Sequence, residues 1–163
     1  MKNLKIIFAI LLFNLLFSLK AYAFELKEIM PSQFPGVVES NKIRLIYIFT
    51  SWCSVCKRVF PEVVELYKDF DPKDVDIMLI SLDDNDEVVN DAFKFYKDQN
   101  FVIYRINQDS PQEVMQGLLK AGILYKGSVP HSTIIDEKDN IVVNGSYKIH
   151  SLKKAVEYLI KNK

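Results

Sequence analysis

Residues 43–57 read IRLIYIFTSWCSVCK and give the main evidence for the fold. Its first part, Ile43 to Thr50, is a nearly continuous apolar, β-branched and aromatic run, which is typical of a strand buried on both faces of a parallel sheet. From Cys53 to Phe70 apolar residues recur at helical spacing, and Asp71-Pro72 ends the pattern. The sequence therefore predicts a central strand followed directly by a helix, with a Cys-x-x-Cys motif where the two meet.

The two cysteines of this motif are the only ones in the chain. Cys53 is predicted at the helix N-terminus, where unpaired N–H groups and the helix dipole favour the thiolate, the reactive form. Cys56 lies one turn further along the same side and can attack a mixed disulfide formed at Cys53. A bridge that closes so short a loop stabilises a fold little. We interpret the pair as a redox-active disulfide in which Cys53 attacks and Cys56 resolves.

The rest of the chain predicts an α/β domain with a mixed sheet and helices on both faces. Strands are expected at Val75–Leu82, Phe101–Ile106, Ser132–Asp136 and Ile141–Asn144, the last two forming a hairpin. Helices are expected from a cap within 83–86 to about Gln99, from Ser110 to Gly122, and after a cap at Ser151. A short strand and a helix are expected between Glu25 and Ser40.

The first 23 residues have the three-part order of a secretory signal peptide. Lys2 and Lys5 precede an apolar run over 6–17, and the small residues Ala21 and Ala23 follow it. Because a membrane span needs about 20 apolar residues, cleavage after Ala23 is preferred to an uncleaved anchor. The expected organisation is a signal peptide at 1–23 and a single domain at 24–163, outside the cytoplasm.

Charge and metal-ligand spacing exclude two classes of function. Lys plus Arg and Asp plus Glu number 21 each, so no basic excess indicates nucleic-acid binding. A zinc site needs four ligands, yet the chain has no second cysteine pair, and His131 and His150 fit no zinc spacing. Neither a metal nor another cofactor is expected.

Several motifs together resemble the thioredoxin superfamily. They are Trp52-Cys53-x-x-Cys56-Lys57 with Pro61 five residues later, and Val129-Pro130 directly ahead of a strand. The strand–helix segment between Val75 and Ala121 resembles an insertion in the exported TlpA/ResA-type branch, which is linked to cytochrome c maturation. The resemblance implies a thioredoxin fold with that inserted segment, and a cis Val129–Pro130 bond facing the cysteines.

The resemblance also implies a function. It indicates a monomeric thiol–disulfide oxidoreductase that exchanges disulfides with protein substrates in the periplasm, for cytochrome c maturation or envelope redox homeostasis. A membrane or periplasmic redox partner would recycle its cysteine pair. Trp52, Val129 and Pro130 are the implied substrate-binding residues, while Lys57 and His131 are candidates for tuning the thiol pKa. Whether the protein acts as reductant or oxidant stays open. The alternative is a thioredoxin-like copper carrier without turnover.

The sequence departs from this family at three places near the motif. Tyr47 stands where thioredoxins carry a buried acid, Val59 where ResA-type proteins carry a glutamate, and Ser54-Val55 forms the dipeptide between the cysteines. Two proton-handling groups are thus replaced, which argues against a dedicated apocytochrome reductase. For His131 two orientations stay open: toward Cys53, where a charged imidazole would favour the thiolate, or into the core without a redox role.

Overall fold

The computed structural model of the chain describes residues 24–96, 99–107 and 110–163. The predicted signal peptide at 1–23 lies outside these ranges and stays a prediction. Among the described residues, none of the helices combines the length and the apolar character needed to cross a bilayer.

The described residues form six strands and five α-helices, which alternate along the chain except that the last two strands follow one another. The strands are β1 (Glu25–Ile29), β2 (Ile43–Phe49), β3 (Val75–Ser81), β4 (Val102–Ile106), β5 (His131–Ile135) and β6 (Ile141–Gly145). The helices are α1 (Phe34–Val38), α2 (Ser54–Asp69), α3 (Asp86–Phe93), α4 (Pro111–Lys120) and α5 (Ile149–Lys161). Short 3-10 turns at Pro31–Gln33 and Lys94–Tyr96 precede α1 and follow α3.

The strands form one mixed sheet in the order β1-β4-β3-β2-β5-β6. The four strands from β1 to β2 run parallel, whereas β5 is antiparallel to β2 and β6 is antiparallel to β5. Every residue of β2 is buried, and β2 lies between β3 and β5. The prediction that this strand occupies the centre of a mixed sheet is confirmed, and so is the fold class.

Alternate residues of β2 enter two different cores, because successive side chains of a strand point to opposite faces. Leu45, Tyr47 and Phe49 belong to the cysteine-side core, which also contains Cys53, Cys56 and residues of α2, α3 and α5. Ile46 and Ile48 belong to the second core, formed with α1 and α4. Helices therefore cover both faces, as predicted.

Several predicted boundaries differ from the structure. The last helix begins at Ile149 after Lys148 rather than after a Ser151 cap, because burying Ile149 under the sheet extends the helix. Helix α3 ends at Phe93 instead of continuing to about Gln99, and the cap before it is Asn85. The hairpin strand begins at His131 and ends at Ile135, one residue earlier at each end.

Candidate active site

The Cys-x-x-Cys motif lies where β2 ends and α2 begins. Cys53 is the N-cap of α2, with an extended backbone, and its Sγ accepts a hydrogen bond from the Cys56 N–H at 3.1 Å. The Cys53 N–H donates to Thr50 O at 3.3 Å, which closes a tight turn over Ser51 and Trp52. The sequence folds this way locally because a residue with a side-chain acceptor satisfies the unpaired N–H groups of a helix start.

The two sulfurs are joined in a disulfide, with the Cα atoms 5.2 Å apart. Cys53 is 8% exposed and Cys56 is fully buried in the cysteine-side core. An incoming thiolate can therefore approach the Sγ of Cys53 alone. This asymmetry is what the assignment of an attacking and a resolving cysteine requires.

The loop before β5 faces the disulfide, because β5 is antiparallel to β2 and begins beside the end of β2. The Val129–Pro130 bond is cis, as predicted, and directly precedes β5. The carbonyl oxygen of Val129 lies 3.9 Å from the Sγ of Cys53. Ser146 Oγ donates to Pro130 O at 2.6 Å and ties this loop to the segment after β6. Val129 and Pro130 are thus next to the reactive sulfur, and their substrate-binding role stays a prediction.

Trp52 projects from the turn before Cys53, with 72% of its surface exposed. Beside it is a mostly apolar cavity of about 190 Å³, and Met115 and Tyr125 extend its lining toward the exposed face of α4. The other lining residues are Thr50, Leu82, Pro111, Val114, Gly127 and Val129. The disulfide is therefore bordered by an apolar surface.

Lys57 follows the motif on the first turn of α2. Its backbone N–H donates to Cys53 O at 3.0 Å, and the residue is exposed. The role of its ammonium in tuning the thiol stays a prediction.

The structure corrects the interpretation in which His131 faces Cys53. His131 pairs with Ile48 across β2 and β5, so its side chain lies on the face of the second core, opposite the cysteine pair. Its Nε2 lies 3.3 Å from Asn144 Oδ1, and its ring meets that of Tyr125 edge-on at 5.4 Å. Burial lowers the pKa of His131, an effect that the Asn144 contact partly opposes. A neutral imidazole on the far face cannot stabilise the Cys53 thiolate directly.

This burial predicts a pH effect on stability rather than on redox chemistry. Because the pKa of His131 is lower in the folded than in the unfolded chain, folding favours the neutral imidazole. Its contribution is complete above the unfolded pKa of about 6.5 and is lost as the pH falls from there through the folded pKa. When the pH is lowered from about 7.5 to about 5, we expect the unfolding free energy to fall less in His131→Gln than in the wild type. Urea unfolding at both pH values measures this.

The exposed histidine of the chain supplies the control. His150→Gln should keep the wild-type difference in unfolding free energy between the two pH values, since His150 is exposed on α5. Equal pH dependence in His131→Gln and wild type would contradict the assignment.

Tyr47 occupies the position of the missing buried acid and cannot replace its chemistry as a base. Burial raises the pKa of the Tyr47 hydroxyl well above its usual range, and the nearby charge of Glu62 adds to the shift. Among the described residues its buried Oη has no hydrogen-bond partner. Val59 is half-buried and apolar. Neither position offers a carboxylate to the cysteines.

Asp83, near the motif, has a different role in the structure from the one predicted from the sequence. Asp83 was expected among the candidate helix caps, but Asn85 caps α3, its side chain accepting from the Val88 N–H at 3.0 Å. The Asp83 carboxylate instead lies buried against Ser51, in the turn before Cys53. A signal was present in the sequence, because Asp83 directly follows the strand predicted at Val75–Leu82.

Comparison with known proteins gives the family. The family model described as Thioredoxin-like matches residues 41–142, and the chain belongs to this family. Thioredoxin of Geodia cydonium is 31% identical over 86 residues, which are 53% of this chain and 77% of that protein. Thioredoxin 2 of Plasmodium berghei is 36% identical over 58 residues, so the match spans only 36% of each protein. The predicted resemblance to the thioredoxin superfamily is confirmed.

Solved structures share the fold. A thioredoxin-related protein from Neisseria meningitidis serogroup B superposes with a TM-score of 0.60 at 19% identity, covering 77% of this chain and 90% of that one. The thioredoxin domain of a thiol-disulfide oxidoreductase from Bacteroides vulgatus gives 0.54 at 20% identity, covering 71% and 80%. An exposed lipoprotein thioredoxin of Streptococcus pneumoniae gives 0.53 at 17% identity, covering 73% and 86%. The fold, the family and the Cys53–Cys56 pair at the start of α2 are those of a thioredoxin-like protein.

Proposed function

We propose that this protein exchanges disulfides with protein substrates through Cys53 and Cys56. The observation that carries the proposal is the disulfide at the start of α2, in which Cys53 keeps 8% of its surface exposed while Cys56 is fully buried. A fully buried structural bridge would shield both cysteines. Here the partly accessible cysteine lies beside the cis-proline loop.

Atoms and electrons balance in the thiol–disulfide exchange without any cofactor. A substrate thiolate attacks Cys53 Sγ, the Cys53–Cys56 bond breaks, and Cys56 leaves with the electron pair and takes up a proton. A second substrate thiolate then attacks the substrate sulfur of the mixed disulfide and expels Cys53 as a thiolate, so the substrate is oxidised and the pair reduced. The reverse sequence reduces a substrate disulfide. The N-terminus of α2 stabilises the Cys53 thiolate in both directions.

Substrate binding is proposed for the apolar surface around the disulfide. Trp52 and the cavity beside it offer an exposed aromatic side chain and an apolar hollow, the features that anchor protein partners. Val129 also lines this cavity, and its carbonyl oxygen lies 3.9 Å from the Cys53 sulfur, with Pro130 next in the chain. The occupant is a segment of a folded or unfolding protein that contains a cysteine.

The proposed compartment is outside the cytoplasm, where a membrane or periplasmic redox partner recycles the pair. The signal-peptide pattern of residues 1–23 supports this, and a related fold occurs in an exposed lipoprotein thioredoxin. Because Tyr47 and Val59 supply no carboxylate, general envelope redox homeostasis fits better than dedicated apocytochrome reduction. N-terminal sequencing from fractionated cells should return Phe24 outside the cytoplasm. Met1 in the membrane fraction would instead indicate the anchored form.

Catalysed reduction of insulin disulfides by excess dithiothreitol tests the proposed activity. We expect substoichiometric protein to accelerate the reduction through many turnovers, and Cys53→Ser to give the uncatalysed rate. A copper titration run beside it separates the copper-carrier alternative. Stoichiometric copper binding without any acceleration would replace the proposal by a carrier function.

A further inference from the structure

We infer that Asp83 is a positioning residue that clamps the turn leading into Cys53 and so sets how readily the Cys53–Cys56 disulfide forms. The inference deepens the proposed function and rests on the redox role of that pair. The inference involves no direct contact between Asp83 and the two sulfurs. It acts through Ser51, two residues before Cys53.

The clamp is a buried carboxylate whose two oxygens both accept hydrogen bonds. The Ser51 N–H donates to Oδ1 and Oδ2 of Asp83 at 3.0 and 2.9 Å, and Ser51 Oγ donates to Oδ1 at 2.7 Å. Ser81 Oγ donates to Oδ2 at 2.7 Å and also accepts the Asp83 N–H at 3.1 Å. Asp83 is 2% exposed, and Ser51 and Ser81 are buried with it. Charge-assisted bonds of this kind are stronger than neutral ones.

The parallel pairing of β2 and β3 brings the clamp together. Phe49 and Ser81 are aligned at the carboxyl ends of the two strands, and the Leu82 N–H donates to Phe49 O at 3.0 Å. The chain after β3 is thereby held against the chain after β2. Asp83 can reach Ser51 only because this edge is in register.

The clamped residue is inside the turn that delivers Cys53. Ser51 and Trp52 are the middle residues of the turn closed by the hydrogen bond from Cys53 N–H to Thr50 O. Holding Ser51 therefore limits where Cys53 can move relative to Cys56. Restricting two reacting groups to a productive geometry raises their effective concentration. Loss of the clamp should lower the effective concentration of the two thiols and make the disulfide less stable.

The test is the equilibrium constant between the cysteine pair and a glutathione redox buffer, read by alkylation and mass spectrometry. We expect Asp83→Ala to lower the constant for disulfide formation about tenfold, as the loss of several hydrogen bonds to the turn should do. Asp83→Asn keeps one acceptor for Ser51 but turns an NH2 group toward the Ser51 N–H in place of the second oxygen, so its constant should also fall below that of the wild type. Asp84→Ala removes the same charge from the next, exposed residue and should leave the constant unchanged.

Thermal unfolding of each variant separates positioning from structural support. Asp83→Ala with a lowered melting temperature but a wild-type equilibrium constant would overturn the inference. If Asp83→Ala does not fold, Ser51→Ala takes its place, because it removes only the hydrogen bond from the hydroxyl group. Ser51→Ala should lower the equilibrium constant about twofold to threefold, and an unchanged constant would overturn the inference. The titration uses no protein substrate, so a failed insulin assay beside a shifted constant would refute the proposed function and leave the clamp standing.

Discussion

Replacing Cys56 by serine is expected to turn the protein into a stable trap for its partners. Cys53 would still attack a partner disulfide, but without Cys56 no internal thiol can resolve the mixed disulfide. The burial of Cys56 strengthens this expectation, because the sulfur that remains belongs to the less buried of the two cysteines, at the start of α2. Covalent complexes should therefore accumulate on non-reducing gels of an extract of the source cells and disappear when dithiothreitol is added.

Cys53→Ser is the matched control for this experiment. It keeps one cysteine in the same motif, yet Cys56 is fully buried and out of reach of a protein substrate. We expect it to capture no partners and to lose catalysed disulfide reduction completely. Complexes that persist with Cys53→Ser and not with Cys56→Ser would reverse the assigned roles.

Truncating Phe60 should cost more stability than any surface change in this protein. Phe60 is fully buried on α2, and its ring lies 4.2 Å from that of Phe93 and 5.3 Å from that of Phe49, measured between centroids. It joins the helix that carries the cysteines to both the central strand and α3. Because the cavity left by the ring would be only partly filled, Phe60→Ala should lower the unfolding free energy by about 3–5 kcal/mol. Urea denaturation followed by circular dichroism measures this loss.

The same substitution at an exposed phenylalanine is the control for removing a phenylalanine ring outside the core. Phe95 is 83% exposed in the 3-10 turn after α3. Phe95→Ala should change the unfolding free energy by no more than about 0.5 kcal/mol. Similar losses in the two variants would mean that Phe60 does not carry the packing described here.

The central elements could be predicted from the sequence because their signals are local. The unbroken apolar run of β2 and the helical spacing that begins at Cys53 each lie within one segment. The cis bond at Val129–Pro130 followed from a motif rather than from any spacing rule. These elements determine where the reactive sulfur lies, so the pair could be assigned without a structure.

The side-chain environments of His131 and Asp83 could not be predicted in this way. One residue of register decides which face of a sheet a side chain occupies, and the pairing of His131 with Ile48 is set by contacts between strands far apart in sequence. An aspartate after a strand suits a helix cap and a buried clamp equally well. Only the alignment of β2 with β3 places Asp83 against Ser51 rather than at the start of α3.

The reduction potential of the Cys53–Cys56 pair distinguishes a cycling redox centre from a structural bridge. Titration against glutathione or dithiothreitol buffers, with alkylation and mass spectrometry, follows both cysteines together. We expect one reversible two-electron transition between about −120 and about −300 mV, the range of redox-active thioredoxin-fold proteins and their partners. A pair that stays oxidised well below about −300 mV, as structural disulfides do, would contradict a cycling redox role for Cys53 and Cys56.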